Sequence, residues 1–231
     1  MEGFETLLEK SAAAHGHLCP GQAVGVRMAM LGCRLIGLDE PTSLDQIKKL
    51  IVYVEMDRCT GDAVAFTTGV KLGRRSLKFL DFGIMAASFV NLETQRAFRI
   101  ISTEESRDLT EAYAPGIEDK RERQLEAYRR MPDSVLFRVQ QVEVAVPDED
   151  LPGPTRFKAT CSRCGQVVRD RREVIKDGHA LCQPCAGEVY FKGAREITWP
   201  DMNWVPKKNF SQTRSPRHAR RADVDLKDAK D

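Results

Sequence analysis

Four of the seven cysteines stand as Cys161-x-x-Cys164 and Cys182-x-x-Cys185, with 17 residues between the pairs. Each pair can form a tight knuckle whose thiolates take adjacent corners of a tetrahedron, so this spacing constrains the C-terminal third more than any other feature. The module is expected over residues 161–195, and a segment of about 35 residues buries too little core to fold without such a staple. Zinc is the expected metal. Four thiolates close its shell and leave no open position, which reads as a structural site. His179 reads as a turn residue rather than a replacement ligand, and two redox or disulfide pairs are the alternative to metal.

Zinc modules often contact nucleic acid, but the charge here argues against it. Between Cys161 and Lys192 six basic residues face four acidic ones, and a zinc held by four thiolates carries two negative charges that cancel the difference. The remaining basic element is the tail at 196–231: from Lys207 onward eight basic residues stand against four acidic ones and apolar residues are scarce, so it reads as solvated and disordered. A membrane span is not expected either, because apolar runs such as Gly83–Val90 fall short of the ~18 residues required. The acidic start Met1-Glu2-Gly3-Phe4-Glu5 has no export signal, so a cytoplasmic protein is expected, with Cys19, Cys33 and Cys59 kept as thiols or ligands.

Ahead of a Pro- and acid-rich linker at 148–160, residues 1–147 read as an α+β core domain. Helices are expected at Phe4–Ala14, from Pro20 onward, and at Ala63–Leu72 closed by Gly73. Gly21, Gly25, Ala29 and Gly32 leave one face of the second helix nearly bare, so something packs closely there. Leu50–Val54 is the apolar β-branched run of a central strand. Strands are also expected near Leu77–Phe82, Ile84–Val90 and Gln95–Ile101. Ser102-Thr103-Glu104-Glu105 reads as a capping box. The apolar phase shifts between Val135/Phe137/Val139 and Val142/Val144/Val146, which suggests a bulge at Gln140-Gln141.

The chemistry concentrates in two loops. His15-Gly16-His17-Leu18-Cys19-Pro20-Gly21 places two imidazoles at i and i+2 of an extended segment and a thiol at a helix N-terminus, where partial positive charge favours the thiolate. Cys59 has a similar setting between a buried strand and a helix, with Asp57 and Asp62 nearby. If the loops meet, His15, His17, Cys19, Cys59 and Asp62 line one cleft. His17, Cys19 and Cys59 then suit a second transition metal with an incomplete shell. Cys33 reads as a buried apolar residue.

These segments, together with Asp57-Arg58-Cys59-Thr60-Gly61-Asp62-Ala63 and Thr68-Gly69-Val70-Lys71-Leu72-Gly73, resemble the FmdE family, which takes its name from formylmethanofuran dehydrogenase. The resemblance covers most of residues 1–150. It implies an α+β core that can carry a C-terminal treble-clef zinc finger, a homodimer, a cleft corresponding to His15, His17, Cys19, Cys59 and Asp62, and an accessory role beside a molybdenum or tungsten metalloenzyme complex. The family pattern has a lysine after Asp81-Phe82-Gly83, where this chain has Ile84, so no role of that lysine carries over.

Three functions follow from these features. The first is an accessory or assembly protein of one-carbon metabolism, with structural zinc and a metal or ligand cleft. The second is a stand-alone metal- or thiol-dependent enzyme acting through the same cleft. The third is a regulator whose finger and tail contact nucleic acid.

Overall fold

The apolar run Leu50–Val54 forms β1 in the interior of a five-stranded sheet, where both its faces are covered. The computed structural model describes residues 1–194. The sheet order is β2-β1-β3-β4-β5, with β2 at Leu77–Phe79, β3 at Ala86–Asn91, β4 at Ala97–Ser102 and β5 at Phe137–Gln141. β2 pairs parallel to β1, and the other pairings are antiparallel. A parallel pair needs a crossover, which helix α3 (Cys59–Thr68) supplies.

Side-chain alternation divides the sheet into two faces. Leu50, Val52, Phe89 and Ile100 enter the main core beside Leu8, Met28, Val64 and Leu136. That face is covered by helices α1 (Phe4–His15), α2 (Pro20–Ile36), α3 and α6 (Lys120–Arg130). Short helices α4 (Glu104–Asp108), α5 (Thr110–Tyr113) and α7 (Asp133–Leu136) complete the connections. On the opposite face Ile51, Val90 and Ala97 lie under Val142, Val144 and Val146.

The bare face of α2 is filled as its composition requires. A Cβ on Gly25 would stand 2.6 Å from both the Ala63 Cβ and the Thr60 carbonyl oxygen, and one on Gly32 would stand 2.4 Å from the Phe89 ring. α3 therefore crosses α2 at backbone contact, and β3 packs one aromatic ring against the same helix.

Three local expectations are corrected. α3 begins at Cys59 rather than Ala63 and ends at Thr68, because Gly69 already takes φ +73° and returns its N–H to the carbonyls of Ala65 and Phe66. The phase shift near Gln140 is not a bulge. β5 pairs with β4 in unbroken register, and Val142 N–H continues the ladder to the Ala97 carbonyl. The apolar residues change parity because Phe137 faces the helices, whereas Val142, Val144 and Val146 cover the other face. Thr103 does precede α4, but its side chain makes no capping bond; Ser106 Oγ donates to the Thr103 carbonyl instead.

The C-terminal module contains two hairpins and a helical turn. β6 (Lys158–Thr160) pairs with β7 (Val167–Arg169) around the first cysteine knuckle, and β8 (Val174–Lys176) pairs with β9 (His179–Leu181). α8 (Gln183–Ala186) opens at Cys182. Knuckle, hairpin and helix in this order make a zinc-finger-like module of treble-clef type. Met1–Glu188 form one compact unit. Within it, Arg75 Nη1 meets Asp170 Oδ2 at 2.7 Å, while Lys78 and Arg172 share Asp150. Residues 189–194 carry no helix or strand. The basic tail expected at 196–231 lies outside the described residues. Among the described residues no helix is long and apolar enough to cross a membrane.

Candidate metal centres

α1 ends on His15 because Gly16 takes φ +96° and returns its N–H to the Ala12 carbonyl. That reversal, rather than the extended segment expected, folds His17 back beside His15, with ring centroids 4.7 Å apart and planes inclined by 43°. Cys19 follows in extended conformation, buried, as the N-cap of α2 with Pro20 in the first helical turn. One ligand atom from each of His15, His17 and Cys19 lies within 4.8 Å of the others.

Cys59, the first residue of α3, approaches from the second loop. It can do so because Gly21 has no side chain; a Cβ there would stand 3.0 Å from the Cys59 Cβ. Gln22 fixes the approach. Fully buried, it accepts a hydrogen bond from Ser11 Oγ at 2.5 Å and donates through Nε2 to the Cys59 carbonyl at 2.8 Å. Thr60 Oγ1 donates in return to the Gly21 carbonyl at 3.1 Å. The two loops therefore meet, and Cys59 lies beside Cys19 but outside the donor group, in which His15 rather than the expected Cys59 joins His17 and Cys19.

Asp62, one turn into α3, places Oδ2 3.0 Å from His15 Nδ1. The carboxylate assigns the proton to Nδ1, which leaves the Nε2 lone pair free. Nε2 is buried and has no hydrogen-bond partner among the described residues. An imidazole oriented by a carboxylate, with its other nitrogen uncommitted beside a second imidazole and a thiol, is the arrangement found in metal-ligating histidines. Burial, then contact with the Cys19 thiol and the charge of Asp62, pushes the Cys59 thiol up from its ordinary value. This opposes the direction expected from a helix N-terminus alone, because desolvation outweighs the short dipole. Cys33 is fully buried, and burial pushes its thiol up to about 12, as an inert core residue requires.

The second cluster is the four-cysteine set. Cys161, Cys164, Cys182 and Cys185 each place a sulfur within 4.8 Å of the others, and Cys164 Sγ and Cys182 Sγ are 3.7 Å apart. A tetrahedron with Zn–S bonds of about 2.3 Å has edges of about 3.8 Å. Backbone N–H groups, that of Cys182 first, pull the Cys161 thiol down to about 6 against burial. Contact with the Cys182 thiol, then burial, pushes Cys185 up to about 12. Sulfurs this close do not all ionise without a cation among them, so the donor set fits a metal ion. His179 belongs to β9 and is not among these ligands.

Each sequence-derived candidate therefore has a place. His15, His17 and Cys19 form one donor group, Cys59 adjoins Cys19, Asp62 orients His15, and the four later cysteines form the other group. Gln22 was missed. The signal for it was a lone amide in a helix face otherwise made of Gly, Ala, Val and Met. The pairing of Arg75 with Asp170 had no local signal, because the partners are far apart in the chain.

The comparisons agree with this geometry. The family model described as FmdE, Molybdenum formylmethanofuran dehydrogenase operon, matches residues 14–144, more than half of the chain. A crystal structure of a tungsten formylmethanofuran dehydrogenase FmdE-like protein from Syntrophus aciditrophicus superposes with a TM-score of 0.54 at 18% identity. That match covers 82% of this chain and 95% of the other, and it supports the shared fold. A protein of Archaeoglobus fulgidus, named probable S-adenosyl-L-methionine-binding protein, is 29% identical over 209 residues. The alignment takes in 83% of this chain but 55% of that relative. With the family's matched segment carrying both the His15–Cys19 and the Cys59–Asp62 loops, the chain belongs to the FmdE family.

Proposed function

We propose that this protein is a metal-binding accessory or assembly component related to a molybdenum or tungsten formylmethanofuran dehydrogenase. Zinc closes the four-cysteine finger, and a second transition metal binds in the core through His15, His17 and Cys19, with Cys59 beside it. The observation that carries this reading is the grouping of His15, His17 and Cys19, in which Asp62 engages His15 through Nδ1 and leaves Nε2 buried and without a partner among the described residues. A donor set of two nitrogens and one or two sulfurs suits zinc, iron or nickel. The core, 1–147, and the finger, 161–195, are two domains docked within one compact unit, and the protein acts in the cytoplasm as a homodimer. Leu80, Phe82 and Ile84, three exposed apolar residues in one short segment, support a surface covered by a second copy.

The test is affinity capture of tagged protein from its native cells, followed by elemental analysis of the captured fraction. Co-recovery of a molybdenum- or tungsten-containing enzyme, lost when the core metal is removed by His15→Ala, Cys19→Ser, is the expected result. Recovery of the chain alone, with both of its own metals bound, contradicts the accessory role. A second reading, a catalyst in its own right, draws support from the open cleft of about 510 Å³ that borders His15 and Cys59. Turnover by the purified chain without partners would favour it.

A further inference from the structure

The cleft beside the core cluster divides by chemistry. On one side stand His15, Cys59 and Asp62, at the end of α1 and the start of α3. On the other stand Leu72, Leu77 and Phe79, from edge strand β2 and the turn before it. Its volume of about 510 Å³ lies within the range of small-molecule sites. Leu72 and Phe79 are 67% and 45% exposed, so this wall keeps apolar surface in water beside His15, the one member of the donor group that lines the cleft, and Cys59. Asp57, Asp62 and Arg58 border the cleft and sum to one negative charge, which disfavours an anionic ligand, while a cationic head has no lone pair to offer a metal.

We infer that the cleft takes a small molecule with an uncharged, metal-ligating head and an apolar body. The head completes the shell of the metal near His15 and Cys59, and the body lies on Leu72, Leu77 and Phe79. This rests on the core metal site proposed above and adds the class of ligand that the site takes. A fully buried methylene strengthens binding about fourfold; on a wall that stays open on one side, about twofold is expected.

The experiment uses the full chain with zinc in the finger and cobalt(II) in the core, titrated with 1-alkylimidazoles from methyl to hexyl while the cobalt spectrum is followed. Affinity is expected to rise about twofold for each added methylene, or about 30-fold across the series. In the double variant Leu72→Ser, Phe79→Ser, the cobalt spectrum before imidazole should be unchanged and the dependence on chain length should vanish. Equal affinity for methyl and hexyl imidazoles in a cobalt-loaded wild type overturns the inference and leaves the metal site standing. Absence of a core cobalt spectrum refutes the metal site instead. The same series is then followed by calorimetry on cobalt-free protein, where a flat response overturns the apolar wall as well. Sedimentation of wild type and double variant covers the remaining occupant: if the two serines dissociate a dimer, a second copy fills the cleft and the inference fails.

Discussion

Gly25→Ala tests the packing that brings the two metal-binding loops together. The added Cβ would sit 2.6 Å from the Ala63 Cβ and 2.6 Å from the Thr60 carbonyl oxygen. Ordinary contact is near 3.6 Å, so α2 and α3 must separate by about 1 Å, and the obstacle is backbone that cannot rotate away. Overpacking of this kind costs about 1–3 kcal/mol, whereas Ala gains about 1 kcal/mol over Gly in a helix interior. A net loss of up to about 2 kcal/mol is expected. The same displacement carries Cys59 away from Cys19 and loosens the Gln22 bond to the Cys59 carbonyl, so core metal affinity should fall together with stability. Urea unfolding at unchanged slope, alongside a cobalt titration, measures both. Gly73→Ala is the control, since a Cβ there meets nothing within 4 Å. A Gly25→Ala protein as stable as wild type, with undiminished core affinity, would refute the close-crossing argument.

Cys164→Ser should remove the finger metal and unfold the C-terminal module while residues 1–147 stay folded, because the metal supplies that module's folding free energy; unchanged zinc content would show that Cys164 is not a ligand. Cys59→Ser should spare folding and weaken ligand binding in the core, whereas a protein that precipitates would place Cys59 with the core packing. Arg75→Met leaves the mostly buried Asp170 carboxylate without its cation. A loss of stability smaller than that of a fully buried pair is expected, because both side chains keep some solvent contact, and faster amide exchange in β2 and β7 is the readout. Protection equal to wild type would contradict a role for this pair in docking the finger.

Much of this fold could be read from residue pattern. The Leu50–Val54 run marks an interior strand, the Gly21/Gly25/Gly32 stripe announces a close neighbour, and the paired C-x-x-C motifs announce the finger, because each signal is local and each has one dominant physical cause. What escaped depends on distant partners. Gly69, rather than Gly73, ends α3, since both residues offer the same freedom and the helix stops at whichever turn the tertiary contacts use first. The valines after Gln141 resemble a bulge until the second face of the sheet is known to need covering. In the candidate core site the two loops were legible, but the grouping was not: His15 rather than Cys59 joins His17 and Cys19, and the means of assembly had no local signal. Gly16 turns His17 back onto His15, Asp62 fixes the imidazole, and Gln22 ties two helices, and only three-dimensional proximity shows these links.

The proposed function requires two metal centres in one chain, one in the core and one in the finger. Elemental analysis of purified wild type, of the double variant His15→Ala, Cys19→Ser, and of Cys164→Ser tests it most directly. The account predicts two metals per chain in wild type and one in each variant, with zinc retained in the core variant and the core metal retained in Cys164→Ser. One zinc per chain in wild type, unaffected by His15→Ala, Cys19→Ser and lost in Cys164→Ser, would contradict a metal centre in the core.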